Sequence, residues 1–300
     1  MQLLRIPCPP FARAKDLTVS PSYVVGCTGR KAVILDRQYN LLQTVDGLDY
    51  VYKALLSPDE KQLLLISNVN RFYVSDLASG TTRKVTLHAP FHYNLEGQGC
   101  WSGDGRFVYI PVSRGSQSIL RRYCVDDLTV DAELLPEEFH LTNLHPLDGE
   151  DGIFMVGWKQ ESAQHSFLFL KNDHVTSIPL KEENGIFFQG YMQLKAREVH
   201  FYSAKGYLRF SLDGTLLERV LFPFPSTKSP LQSTITKYAL SACGNYIFLS
   251  SDSGFYLLDA ATKKMLAHHP EEFGVHNFEQ LETDVIALVT WGGVKLFRMM

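Results

Sequence analysis

The sequence is poor in the features that announce most functional classes. Its five cysteines, Cys8, Cys27, Cys100, Cys124 and Cys243, form no CxxC pair and are odd in number, so they suggest neither a zinc ribbon nor a complete disulfide framework. Four of them sit in apolar strand-like wording, where a cysteine packs as a small hydrophobe, and the expected compartment is a reducing cytoplasm. Basic residues do not outnumber acidic ones. The formal charge is −3 and the basic pairs Arg121-Arg122 and Lys263-Lys264 are isolated, which argues against a nucleic-acid partner. No apolar run is long enough to span a membrane, and MQLLRIPCPP is too short for an export-signal core. Helical periodicity is missing too, and with it the amphipathic stretches that a two-domain α/β plan requires. No GxSxG, HExxH or P-loop pattern occurs.

Other short patterns fail on context. GQGCWSG (97–103) has no helix after it, so it is not a dinucleotide loop. Asp148-Gly149-Glu150-Asp151 is too short for a calcium loop, and His268-His269 would point to opposite faces of one strand.

What remains is a well-patterned β chain. With 45% hydrophobic and 20% charged residues the composition is that of a globular protein rather than a disordered one. From Val51 to His88 four short runs rich in aliphatic, aromatic and β-branched residues are parted by polar turns at Ser57-Pro58-Asp59, Asn68 to Asn70 and Ala78-Ser79-Gly80. The serine turn returns at Ser20, Ser102 and Ser241. An aspartate recurs at the end of the third run, at Asp36, Asp76, Asp126, Asp213 and Asp259, with Asn172 at the missing place. Both markers recur once per unit of 37–50 residues.

On this period the units run from Asp16 to Gly47, Tyr50 to His88, Gly97 to Pro136, His140 to Lys181, Phe187 to Pro223 and Thr234 to His269. A last unit from His276 to Met299 has only three strands, and MQLLRIPC is a spare one. The pattern predicts an all-β fold: a single β-propeller domain over residues 1–300, with seven four-stranded antiparallel blades. Residues 1–8 complete the C-terminal blade, and burial of Leu3, Leu4 and Ile6 there is expected to contribute roughly 1.5–3 kcal/mol each.

Two stretches carry a family resemblance. VSDLASGTTRK (74–84) resembles the end of a WD repeat, with Asp76 at its aspartate and Ser75 at its usual tryptophan; His92 stands where such repeats carry the histidine of their Gly-His pair. SGDGRFVYIPVSRGSQSILRRYCVDDLTV (102–130) is similar to a repeat of the lactonase-type propellers. The full WD hydrogen-bonding set is absent from every unit, so what the resemblance implies is the propeller architecture.

In such propellers the fourth-to-first connections share one face with the second-to-third turns. Here the former repeat in wording: Pro136-Glu137-Glu138-Phe139-His140 returns as Pro270-Glu271-Glu272-Phe273, and Pro90-Phe91-His92 is a looser version. The connection 221–234 adds Phe222 and Phe224. The expectation is a non-enzymatic platform that docks a protein or peptide on Phe91, Phe139, Phe222, Phe224 and Phe273, with Glu137, Glu138, Glu271 and Glu272 favouring a cationic contact. A plainer reading has the phenylalanines plugging gaps between blades and the glutamates solvating loops. The alternative function is a hydrolase using His92, Glu96, His140, His276 and Glu279 as acid, base or metal ligands. No cofactor, metal, nucleic acid or membrane is expected, and the chain is expected to be monomeric.

Overall fold

The computed structural model describes residues 3–7, 11–67, 69–89, 91–93, 99–114, 117–134, 139–147, 152–159, 162, 164–181, 191–195, 197–203, 206–221, 235–251, 253–270 and 274–300. Seven antiparallel sheets follow one another along the chain, the organisation of a seven-bladed β-propeller, with no helix among the described residues. Strand β1 (Leu3–Ile6) precedes the first complete set, β2 (Asp16–Val19), β3 (Tyr23–Cys27), β4 (Ala32–Asp36) and β5 (Leu41–Val45). The second sheet is β6 (Val51–Leu56), β7 (Gln62–Ser67), β8 (Arg71–Asp76) and β9 (Thr82–Thr86). The third has a first strand in two pieces, β10 (Phe91–Tyr93) and β11 (Cys100–Trp101), both paired with β12 (Phe107–Arg114), then β13 (Gln117–Cys124) and β14 (Val130–Leu134). The fourth is β15 (His140–Pro146), β16 (Ile153–Lys159), β17 (Gln164–Lys171) and β18 (His174–Pro179). The fifth is β19 (Tyr191–Lys195), β20 (Glu198–Ser203), β21 (Gly206–Ser211) and β22 (Leu216–Leu221), and the sixth β23 (Ile235–Leu240), β24 (Tyr246–Ser251), β25 (Gly254–Asp259) and β26 (Met265–Pro270). The last consists of β27 (Asn277–Gln280), β28 (Val285–Thr290) and β29 (Gly293–Met299), with β1 alongside β29. By its contacts the chain divides into two compact units, Met1–Gly26 with Glu183–Met300, and Cys27–Glu182.

Burial explains why the middle strands are almost wholly apolar. Leu63 to Ile66 of β7 and Ile286 to Val289 of β28 are buried on both faces, whereas the outer strands β18, β22 and β26 alternate exposed and half-buried positions. A strand covered on both sides reads as a continuous hydrophobic run, and one at an edge does not.

The two sequence markers are two kinds of turn. Ser57 and Ser102 accept a bond at Oγ from the amides of Gln62 and Phe107, both at 2.9 Å, and their hydroxyls reach Asp59 and Asp104, both at 2.7 Å. The aspartates end third strands: Asp36, Asp76 and Asp259 each take two backbone N–H groups on one carboxylate oxygen. In the third sheet Asp127, not Asp126, does this work, accepting from the amide of Thr129 at 3.0 Å. At the missing place Asn172 and Asp173 adopt φ of 49° and 63°, a tight hairpin turn that needs no capping carboxylate.

Two further expectations need correction. The third sheet starts at Phe91 rather than Gly97. Cys27 and Cys100 are buried in strands as expected, and Cys243, on the serine turn, is exposed. β1 does pair with β29, placing Ile6 opposite Leu296 and Leu4 opposite Arg298, but Leu4 is 50% exposed because an outer strand keeps one face in solvent. Its expected burial energy is therefore largely absent.

Candidate functional site

Antiparallel order puts the start of strand one, the turn between strands two and three, and the end of strand four at the same end of each sheet, here called the connection end. In the Cys27–Glu182 unit two such segments, Thr28 to Lys31 and Asp46 to Tyr50, line a cleft of about 480 Å³, a size within the usual range for ligand pockets.

Local bonds shape this cleft. The amide and hydroxyl of Thr28 both donate to the Lys31 carbonyl, at 2.9 and 3.2 Å, closing the hairpin tip. The Leu48 amide donates to the Arg30 carbonyl at 3.0 Å and the Val51 amide to the Gly29 carbonyl at 2.8 Å, so the connection is laced to the tip. Gly29 and Gly47 have φ of 88° and 74°, which only glycine adopts freely.

Asp49 forms the rigid wall. Its carboxylate pairs with Arg71 and accepts from the Tyr73 hydroxyl at 3.2 Å; its amide donates back to that hydroxyl at 3.1 Å, and its carbonyl accepts from Ser67. Burial, with the Asp49 charge a lesser cause, raises the Tyr73 phenol above its ordinary pKa, keeping it a neutral donor. Next to this wall Tyr50 sits at φ 48° and is 60% exposed. A non-glycine residue held left-handed costs on the order of 1–3 kcal/mol, and the result is an aromatic ring displayed beside the cleft. Arg30, Lys31 and Asp46 are exposed, and among the described residues none of the three has an ion-pair partner.

A second polar cluster lies in the Met1–Gly26 and Glu183–Met300 unit, where β2 runs beside β27. Asn277 donates to the Asp16 carboxylate at 2.5 Å and the Leu17 carbonyl at 2.9 Å, and its own carbonyl takes the Phe278 amide at 2.8 Å. Asp16 and Asn277 are each 4% exposed. The His276 ring donates from Nε2 to the Lys15 carbonyl at 2.6 Å and packs 4.7 Å from the Trp291 ring, while Lys15 bonds the Trp291 carbonyl. Trp291 itself is 67% exposed, on the turn between strands two and three.

Against this geometry the sequence candidates divide. Phe139 is corrected from docking anchor to core residue: it is 8% exposed, packs with Leu141 and Met155, and carries the Lys159 ammonium 4.8 Å from its ring. Phe91 is likewise half-buried against the core around Phe72, with the Arg121 guanidinium 3.6 Å from its ring centre. Phe222, Phe224, Phe273, Glu137, Glu138, Glu271 and Glu272 lie outside the described residues, as does Glu96. Of the hydrolase set, His92 is in β10, His140 stacks on Trp158 at 4.9 Å, His276 holds the Lys15 carbonyl, and Glu279 pairs with Lys237. The side chains of His140, His276 and Glu279 serve local packing. Among the described residues no three His, Cys, Asp or Glu side chains gather as metal ligands.

Sequence reasoning missed Tyr50, Arg30, Lys31 and Trp291. The available signal was DGLDY (46–50), a glycine turn followed by an aromatic between two strands.

No protein-family model matches the chain, and the curated proteins contain no match. Among solved structures it is similar to hydrazine synthase of Kuenenia stuttgartiensis, at 9% identity and a TM-score of 0.68 over 97% of this chain and 96% of that one. At that identity the likeness concerns the fold alone, and it agrees with the seven-sheet propeller described above.

Proposed function

We propose that this propeller is a non-enzymatic binding platform that takes a protein or peptide at the connection ends of its sheets. The observation that supports the reading is the cleft bounded by Thr28 to Lys31 and Asp46 to Tyr50: a braced wall, a displayed tyrosine, and charged groups with no ion-pair partner among the described residues. Aromatic anchors with orienting charges are the usual chemistry of such surfaces. Of the hydrolase alternative, His140, His276 and Glu279 are tied to a nearby ring, a carbonyl and a cation, so no observation favours that reading.

Of the two propeller types resembled, the WD-like one fits the second sheet better. Asp76 caps the end of β8, and Ser75, buried at the tryptophan position, takes a 3.0 Å bond from Thr82. The described cysteines are all free thiols, in keeping with a reducing cytoplasm, and we regard the protein as monomeric.

The test is site-specific photo-crosslinking in cells that make the protein. A benzophenone residue replacing Tyr50 should give a discrete polypeptide adduct, while one replacing Asp59, at the opposite end of the next sheet, should not. Equal labelling at both positions, or none at Tyr50, would remove the reading.

A further inference from the structure

The cleft is polar, and its charges are not balanced. Arg30 and Lys31 stand next to each other on the hairpin tip, exposed and without an ion-pair partner among the described residues. Of the two acids facing them, Asp49 is already neutralised by Arg71 and held by Tyr73. Among the described residues lining the cleft, Asp46 alone is left to oppose two cations.

We infer that the occupant of this cleft is an acidic stretch of polypeptide, held by carboxylates against Arg30 and Lys31 while its backbone lies along the Tyr50 ring. The inference rests on the binding reading above and reverses the sign of the contact expected from the glutamate-rich connections. Two features select this occupant. Two adjacent cations on a closed tip match carboxylates spaced along a chain, whereas a cationic segment would meet only Asp46. The molecule's formal charge of −3 opposes a long polyanion more than a short acidic peptide, so nucleic acid is disfavoured.

The experiment is fluorescence anisotropy on the purified full chain at low ionic strength, where surface charges are least screened. The probes are an end-blocked fluorescein peptide of alternating glutamate and glycine, its lysine and phosphoserine counterparts, and a single-stranded oligonucleotide. The glutamate peptide should bind saturably. The combined Arg30→Glu and Lys31→Glu variant should weaken it about tenfold, and Asp46→Asn should tighten it about threefold. Because both cations are exposed, the variant should keep its melting temperature, and the neutral pair Arg30→Gln with Lys31→Gln repeats the test without charge reversal.

An unchanged affinity in both variants, a lysine peptide that binds as well as the glutamate one, or tighter binding of the phosphoserine peptide or oligonucleotide would each overturn the inference. A glutamate peptide that fails to bind while the Tyr50 crosslink persists overturns it too, and leaves the binding reading intact. Loss of the Tyr50 crosslink strikes that reading itself.

Discussion

Two polar clusters at connection ends use similar residues in opposite ways. Around Asn277 most polar groups answer one another: amide to carboxylate, amide to carbonyl, imidazole to carbonyl, with Asp16 and Asn277 sealed from solvent and only Asp16 Oδ2 and His276 Nδ1 of this cluster unpaired among the described residues. Around Tyr50 only the wall is closed in this manner, and Arg30, Lys31 and Asp46 face outward. Buried polar groups must find partners or destabilise the fold, whereas exposed ones remain free to meet another molecule. The first cluster is therefore an internal brace and the second a displayed surface, and substitutions should separate them cleanly.

The largest effect should come from the brace. Asn277→Ala removes three hydrogen bonds and strands the buried Asp16 carboxylate, so we expect a loss of about 3 kcal/mol in urea unfolding. Arg30→Ala and Lys31→Ala should stay within about 0.5 kcal/mol of the parent. Equal losses at Asn277 and at the two cations would erase the distinction.

A second effect is pH-dependent. Burial, aided by the Lys53 charge, holds the His145 imidazole on β15 down at about 4, below its ordinary 6.5. The unfolded chain then binds this proton more readily. The contribution is complete above pH 6.5 and is lost as the pH falls towards 4, by about 2–3 kcal/mol at most. Melting curves across that window should be steeper with pH for the parent than for His145→Gln.

Smaller still is the wall itself. Tyr73→Phe deletes the bond to Asp49 and should cost about 1 kcal/mol, while loosening Tyr50 enough to lower its crosslinking yield. Least of all is the serine turn before Tyr246, where Cys243 takes the place that Asp59 and Asp104 hold in related turns and touches the Ser241 hydroxyl at 3.3 Å. Cys243→Asp should stabilise by about 0.5 kcal/mol. The Ser241 bond and a backbone amide lower the Cys243 thiol pKa, whereas burial raises that of Cys100. Iodoacetamide with mass spectrometry should therefore label Cys243 first and Cys100 only on unfolding.

How much of this was legible beforehand depends on the range of the contacts. The serine and aspartate turns are local, each closed within about five residues, so they appear in the sequence as repeated wording and reveal the seven units. The same logic failed at Phe91, where three strand residues lie within a connection, and at Asp126, where a neighbouring aspartate carries the bond. The cleft is a different matter. Asp49 meets Tyr73 24 positions later and Arg71 from the same strand, and no spacing rule links a connection to the far side of the following hairpin. Phenylalanine identity was misleading for a related reason: Phe139 follows two glutamates in a loop-like phrase, yet its side chain turns into the core beside Leu141.

The pairing of β1 with β29 carries a topological consequence. Leu3 faces Met299 across one ladder, so the two extremities of the strand pair are neighbours and a short glycine-serine bridge could join them. Opening the chain instead at the exposed turn containing Gly80 would yield a circular permutant with every sheet made from consecutive strands except the one newly cut, moving the point where distant segments must meet without altering the assembled molecule.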